Sequence, residues 1–239
     1  MATLLLRCVA PLQAWDTQSR FGVRTTGREP SKSGIVGLLC AALGRPRTAP
    51  LADLAELRMA VRVDKEGQVL RDFHTAMDIL KAGGGLKKTE TSTRYYLSDA
   101  AFLVALEGNK SLLELVHSAL RDPHWMLFLG RKACPPSLPV YIPAEQWDWG
   151  AEAMTLLKTY PWLGGVRRQY DNLESTVRIV FDDDDGPQVR QDQPISFAKG
   201  KRKFAPRRVN FGFIAKPPFK PEFEAMENQP EKGDEQEES

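Results

Sequence analysis

The stretch from Gly27 to Arg45, GREPSKSGIVGLLCAALGR, places the hydroxyls of Ser31 and Ser33 and the ammonium of Lys32 at the start of an apolar run. The first turn of a helix leaves backbone N–H groups unpaired and carries partial positive charge, so such a grouping attracts an anion. It is not a nucleotide cradle, because the G-x-x-x-x-G-K-[ST] spacing requires a glycine where Ser31 stands. Upstream, Ser19, Arg20, Arg24 and Arg28 lie in a polar segment that cannot bury itself. That spread of cations suits the backbone of a nucleic acid better than one small phosphate.

Three further groups carry the same chemistry. Arg131 and Lys132 follow an apolar run in LGRKAC and are expected to project from a sheet edge. In GGGLKKTETSTR, three glycines permit close approach to a partner, while Lys87, Lys88 and Arg94 supply charge. In KGKRKFAPRRVNFGF, basic residues interleave with phenylalanines. Lys and Arg neutralise phosphates and aromatic faces stack bases. The alternation of Phe211 and Phe213 reads as core-facing, so only the charges, Lys201, Arg202 and Arg207, are assigned to RNA.

Catalytic sets are poor by comparison. A metal-free ribonuclease needs a general base, a general acid and a cation near the scissile phosphate. His74 or His124 with Tyr95 and Lys132 would supply those types, but nothing in their spacing requires it. The chain has no G-x-S-x-G elbow and no CxxC pair, and His74, His117 and His124 stand at no ligand spacing. Neither zinc nor any other cofactor is therefore expected. Cys8, Cys40 and Cys134 read as reduced thiols of a cytoplasmic protein. No apolar run is long enough to span a bilayer, and no membrane partner is expected.

The net charge of +2 conceals a segregated distribution. Residues 1–47 carry seven Lys/Arg against two acids, and residues 190–220 carry nine against Asp192 alone. Residues 221–239 carry eight acids against Lys232. Two basic regions and an acidic tail point to a polyanionic partner. The DDDDG run at 182–186 reads as a solvated turn between strands rather than a metal site.

The elements that must position these groups follow from periodicity. Thr3 to Val9 predicts a strand; Ser31 or Ser33 caps a helix to Leu43, closed by Gly44 and Pro46. Leu57 to Val63 and Val69 to Thr75 form a hairpin across Asp64–Gly67. A Gly/Lys/Thr-rich insert follows, then strands at Tyr95–Leu97 and Ala101–Leu106. Leu112, Leu113, Leu115, Val116 and Leu120 mark an amphipathic helix, and Trp125 to Leu129 reads as one more strand. The order approximates a ferredoxin-like βαββαβ unit, an α+β fold, over residues 1–143. Residues 144–221 read as a smaller β-rich part, with 174–181 and 207–214 as its best strands. Residues 222–239 have too little apolar content to order themselves.

Several segments then agree with one family. LLLRCVAPLQAWDTQSRFGVRTTGREPSKSGIVGLLCAALGR resembles the N-terminal signature of the Cas-five family, in the form found in type I-E CRISPR effector complexes (Cascade). DFHTA, TSTRYYLSDAAFLVALEG, FLGRKACPPSLPV and DQPISFAKGKRKFAPRRV resemble it too, in the same order, so the likeness covers most of residues 3–215. The resemblance implies an RRM-like N-terminal domain with a protruding thumb, falling at about 76–94 here. It implies a subunit that caps the 5′ handle of the CRISPR RNA beside the repeated backbone subunit and the large subunit, and reaches target DNA through the complex. Ser19, Arg20, Arg24, Lys32, Ser33, Arg131 and Lys132 fall in the signature segments and are expected to contact the handle. In the type I-C branch of the family the subunit itself cleaves precursor RNA. The type I-E likeness implies a non-catalytic RNA-binding subunit, with a metal-independent endoribonuclease, or a purely structural bridge, as the alternatives.

Overall fold

Seven of the eight residues of the first strand are buried, which demands packing layers on both of its faces. The computed structural model of the chain describes residues 1–16, 22–81, 83–165, 167–172 and 174–220. Its elements run β1 (Ala2–Val9), β2 (Leu12–Gln13), β3 (Val23–Arg24), α1 (Lys32–Ala42), α2 (Ala52–Ala55), β4 (Arg58–Lys65), β5 (Gln68–Leu80), β6 (Leu86–Ser98) and β7 (Ala101–Gly108). They continue with α3 (Lys110–Arg121), a 3-10 turn at Ala144–Gln146, α4 (Ala153–Thr159), α5 (Arg167–Asp171), β8 (Thr176–Asp182), β9 (Gln188–Ser196) and β10 (Lys203–Ala215). The fold is mixed α+β.

One six-stranded sheet, in the order β1-β7-β4-β8-β10-β9, is antiparallel throughout. Strands from both ends of the chain meet in it where β4 pairs β8, with Val61 opposite Val180. The second sheet is built around β6, flanked by β5 on one side and by β2 and the parallel β3 on the other.

Helix α1 starts where Ser31 accepts from the Gly34 N–H at 3.3 Å, and it ends on Gly44 at φ +68°. Gly34 is required by packing: a Cβ there would lie 2.9 Å from the Trp15 indole. Helix α3 begins at Asn109, whose side chain caps Leu112 N–H, and buries Leu113, Val116 and Leu120. The segment bearing α4 lies on the opposite face of the sheet, tied down by Arg62. That guanidinium is fully buried; it bonds both carboxylate oxygens of Asp64, at 2.6 and 2.8 Å, and the carbonyls of Leu157, Tyr160 and Pro161.

One expected strand is absent, and two regions hold structure that the periodicity did not show. Trp125–Leu129 is not a strand: the N–H groups of His124 and Trp125 donate to Ala42 and Ala41, closing the end of α1 instead of joining a ladder. The glycine-rich insert is not a loose loop; its residues from Leu86 onward pair with β5 in an unbroken register, and the turn is confined to the tip. Strand β9 was not legible in the sequence, because its polar, Pro-containing run QVRQDQPIS lacks an apolar alternation. The acidic segment 222–239 lies outside the described residues, as do Ser19 and Arg20.

Candidate nucleic-acid interface

The helix entrance holds an anion, but an internal one. Ser31, Lys32 and Ser33 are all buried. The Lys32 backbone N–H donates to Asp192 at 2.8 Å and its Nζ meets Asp182 at 3.0 Å. Arg207 spans the same two acids, binding Asp192 at 2.7 and 3.0 Å and Asp182 through Nη1. Asp182 also accepts from the Met59 N–H at 2.9 Å. Burial pulls the Lys32 pKa down, against the pull of Asp182. Burial also opposes the charged form of Arg207, but its bonds to Asp192 and Asp182 outweigh that and raise its pKa. In the folded chain Lys32 and Arg207 therefore clamp α1 to β4, β8, β9 and β10 through Asp182 and Asp192, Ser31 caps the helix and Ser33 is buried, so these residues do not form an open phosphate site. The physical reason is that acids 150 and 160 residues downstream reach the helix mouth first. The DDDDG run is split by the same contacts. Asp182 faces inward as the last residue of β8, while Asp184 is fully exposed.

A different set of cations is gathered at the root of the β5–β6 hairpin. Arg24 of β3 and Arg94 of β6 are register partners in parallel strands, so their side chains leave the same face side by side. Arg131 reaches both strands, donating to the Tyr95 carbonyl at 2.9 Å and the Thr25 carbonyl at 2.8 Å, with its guanidinium 4.9 Å from the Tyr96 ring centre. The turn that delivers Arg131 depends on Gly130, at φ +96°, where a Cβ would sit 1.8 Å from the Ala14 carbonyl oxygen. Exposed Lys132 follows directly.

Among the described residues none of Arg24, Arg94 and Arg131 has an acidic partner within salt-bridge distance. Asp72 stands opposite Arg94 on β5 without forming an ion pair. The Nε of Arg94 is buried without any hydrogen-bond partner. Like charges side by side repel, and an arriving anion relieves that repulsion.

The remaining basic candidates are exposed. Arg28 is exposed beside Glu29, which fixes the loop by bonding Arg178 at 3.1 Å and Arg190 at 2.8 Å. Lys87 and Lys88 are near the hairpin tip, where Lys87 pairs with Glu90. Lys201 and Arg202 are exposed at the β9–β10 turn, with Arg202 stacked 5.1 Å from the Phe204 ring centre. The expectation for Phe211 and Phe213 is reversed: they are 48% and 65% exposed, while Arg207 is the inward residue. The sequence reading missed Phe73 and Met77, exposed apolar residues on one face of the hairpin. Their four-residue spacing in β5 was the available signal, since every second residue of a strand shares a face.

His74 and Tyr95 lie on opposite faces of the β5–β6 ribbon by register. His124 packs against Gly44 and meets Trp125 edge-to-face, with ring centres 4.9 Å apart. His117 is buried, its Nε2 2.8 Å from the Ile142 carbonyl. Among the described residues no three His, Cys, Asp or Glu side chains are grouped as metal ligands, and no helix is long and apolar enough to cross a membrane. All three cysteines are free and buried, and burial pushes the Cys8 thiol up to about 12.

Residues 3–210 match the family described as CRISPR-associated protein (Cas_Cas5). The CRISPR system Cascade subunit CasD of Escherichia coli (strain K12) is 36% identical over 179 residues, spanning 68% of this chain and 78% of that protein. A solved "Crystal structure of Cas protein" is 39% identical and superposes with a TM-score of 0.73, covering 92% of this chain and 99% of the other. A chain of a solved "CRISPR RNA-guided surveillance complex" is 30% identical with a TM-score of 0.77, covering 89% of this chain and 90% of its own length.

Proposed function

The chain belongs to the CRISPR-associated Cas5 family, and from that premise we propose that it is the non-catalytic RNA-binding subunit of a type I-E Cascade complex, capping the 5′ handle of the CRISPR RNA. The observation that carries the reading is the cluster of Arg24, Arg94 and Arg131, held without acidic partners among the described residues at the root of an exposed hairpin. Cations already neutralised inside a protein release no counter-ions when RNA binds, whereas unpaired ones do. Arg24, Arg28, Arg94, Arg131 and Lys132 form the handle-binding set in this reading. Lys87 and Lys88 reach along the guide from the thumb, and Lys201 and Arg202 meet phosphates elsewhere on the strand. Ser19 and Arg20 stand just upstream of β3 in the chain and belong to the same proposed set.

The finer architecture fits this role. β1, α1, β4, β7 and α3 follow one another as in a ferredoxin-like unit, with spatial order β1-β7-β4. An isolated antiparallel bridge from Leu6 to Tyr141 stands where the fourth strand of such a unit would add to β1. These features support an RRM-like part over residues 1–143 with its thumb at about 76–94, and a β-rich part over 144–221. The repeated backbone subunit and the large subunit are the proposed neighbours, and target DNA is reached through the complex. His74 and Tyr95, on opposite faces of the ribbon, count against the endoribonuclease alternative.

The test measures binding of a labelled 5′-handle RNA to the assembled complex across a salt series. Arg24→Ala and Arg94→Ala should each flatten the log–log salt slope by about 0.7, the value per phosphate neutralised on a single strand. An unchanged slope in both variants overturns the assignment. Specific cleavage of labelled repeat RNA in EDTA, abolished by His74→Ala or His124→Ala, would favour the enzyme instead.

A further inference from the structure

The hydrogen-bond parity of β10 exposes half of that strand as an open sheet edge. Asp183 N–H donates to the Arg208 carbonyl at 3.3 Å and Lys216 N–H donates to the Ser175 carbonyl at 2.9 Å. Both pairs continue the β8–β10 register, in which Asn210 opposes Phe181, Gly212 opposes Ile179 and Ile214 opposes Val177. In an antiparallel ladder, hydrogen-bonded pairs alternate with non-bonded ones. The even-numbered residues of this half-strand therefore bond toward β8. The N–H and C=O groups of Phe211, Phe213 and Ala215 point to the other side.

On that other side β9 pairs only as far as Val209. Beyond it, no described strand pairs with residues 210–215. One outward donor, Phe211 N–H, is taken up by the Asn210 side chain at 2.9 Å. The open run is about 20 Å long at 3.4 Å per residue. Phe211 and Phe213 stand on it with 48% and 65% of their surface exposed. An edge that no described strand covers, carrying exposed aromatics, invites pairing by another chain, and proteins normally blunt such edges.

We propose that this edge, Asn210 to Ala215, receives an extended segment of a neighbouring protein subunit as an added strand. The segment's backbone would pair with Phe213 and Ala215 N–H and with the Phe211 and Phe213 carbonyls, its apolar side chains covering the two phenyl rings. A basic residue belongs at the end of the segment nearest Asn210. There Asn210 bonds Asp183 at 3.0 Å, and the exposed Asp184 and Asp185 follow in the same turn. Those carboxylates also make the edge a poor seat for RNA, although rings at this spacing would otherwise stack bases. The proposal rests on the reading of the chain as a subunit of a larger assembly, and goes beyond it in naming the surface and the pairing mode.

The test compares amide exchange in the isolated chain, in the chain with 5′-handle RNA alone, and in the complete complex. Assembly should slow exchange of Phe213 and Ala215 by roughly 100-fold, while RNA alone leaves them fast. Phe213→Lys and Ala215→Pro alter only the outward side of the strand, so each should fold normally and enter the complex at least about tenfold more weakly. Edge amides that still exchange freely in a normal complex overturn the proposal and leave the RNA reading intact. Protection by RNA alone overturns it in favour of base stacking. Protection in the isolated chain together with dimer sedimentation overturns it in favour of self-pairing. Failure of any complex to form overturns both readings.

Discussion

Asp64→Ala isolates one contribution of the buried pair under the sheet. Both partners are completely inaccessible, and the Arg62 guanidinium directs every N–H group it has at an oxygen. Removing the carboxylate takes away the bonds to Nε and Nη2, at 2.6 and 2.8 Å, and the acceptor for Leu163 N–H at 2.8 Å. The three carbonyls of Leu157, Tyr160 and Pro161 remain, but they neutralise no charge. Breaking a buried pair from one side costs about 3–5 kcal/mol, because the surviving ion is left uncompensated. Against a total stability of about 5–15 kcal/mol, that is a third or more for many proteins of this kind. At about 2–4 °C per kcal/mol for a chain of this length, the thermal midpoint should fall by about 6–20 °C. Urea unfolding monitored by tryptophan fluorescence reads the same loss. Amide exchange should locate the loosening first in 157–163, the segment that Arg62 holds. A loss below about 1 kcal/mol, or loosening spread evenly over the sheet, would refute the account of Arg62 as a charge satisfied by its local partners.

Gly130→Ala should destabilise by at least about 2–3 kcal/mol, since φ is +96° and the added carbon meets the Ala14 carbonyl at 1.8 Å. Gly83→Ala, with open space around it at the hairpin tip, should stay within about 0.5 kcal/mol by the same denaturation assay. Lys32→Met should lower stability by about 1–3 kcal/mol by leaving acids under-compensated, yet leave the salt slope of RNA binding unchanged. A flattened slope in that variant would return Lys32 to the RNA surface. In alkali the raised Cys8 pKa, about 12 against 9.0, means that the unfolded chain loses its proton first. That contribution to stability is complete below pH 9 and is lost as pH climbs toward 12. Tyr160, raised from 10.0 to about 12, acts in the same direction. Lys32, with its pKa lowered by burial, acts in the opposite one. The comparison of wild type with Cys8→Ala between pH 8 and 11 isolates the thiol, and parallel stability curves would contradict its burial as a neutral group.

Local chemistry was legible wherever a residue's nearest competitors are its own neighbours in the chain. Ser31 and Gly44 bracket α1, the spacing of Leu113, Val116 and Leu120 buries one side of α3, and the runs that became β1, β4 and β7 are apolar enough to sit inside. The family motifs were legible for the same reason, being read in order along the chain. Tertiary structure decided which charges are free. Lys32 and Arg24 look alike in sequence, yet Asp182 and Asp192 arrive at one and, among the described residues, no acid pairs with the other. It also decided how much of one face of β10 is covered: Arg207, Phe211 and Phe213 share that face by strand period, yet Asp182 and Asp192 enclose Arg207 while the two rings stay exposed. A sequence fixes what each side chain is able to do through its own bonds and its helical or strand period. Electrostatic pairing falls off with distance in space, not along the chain, so the fold alone chose the partners.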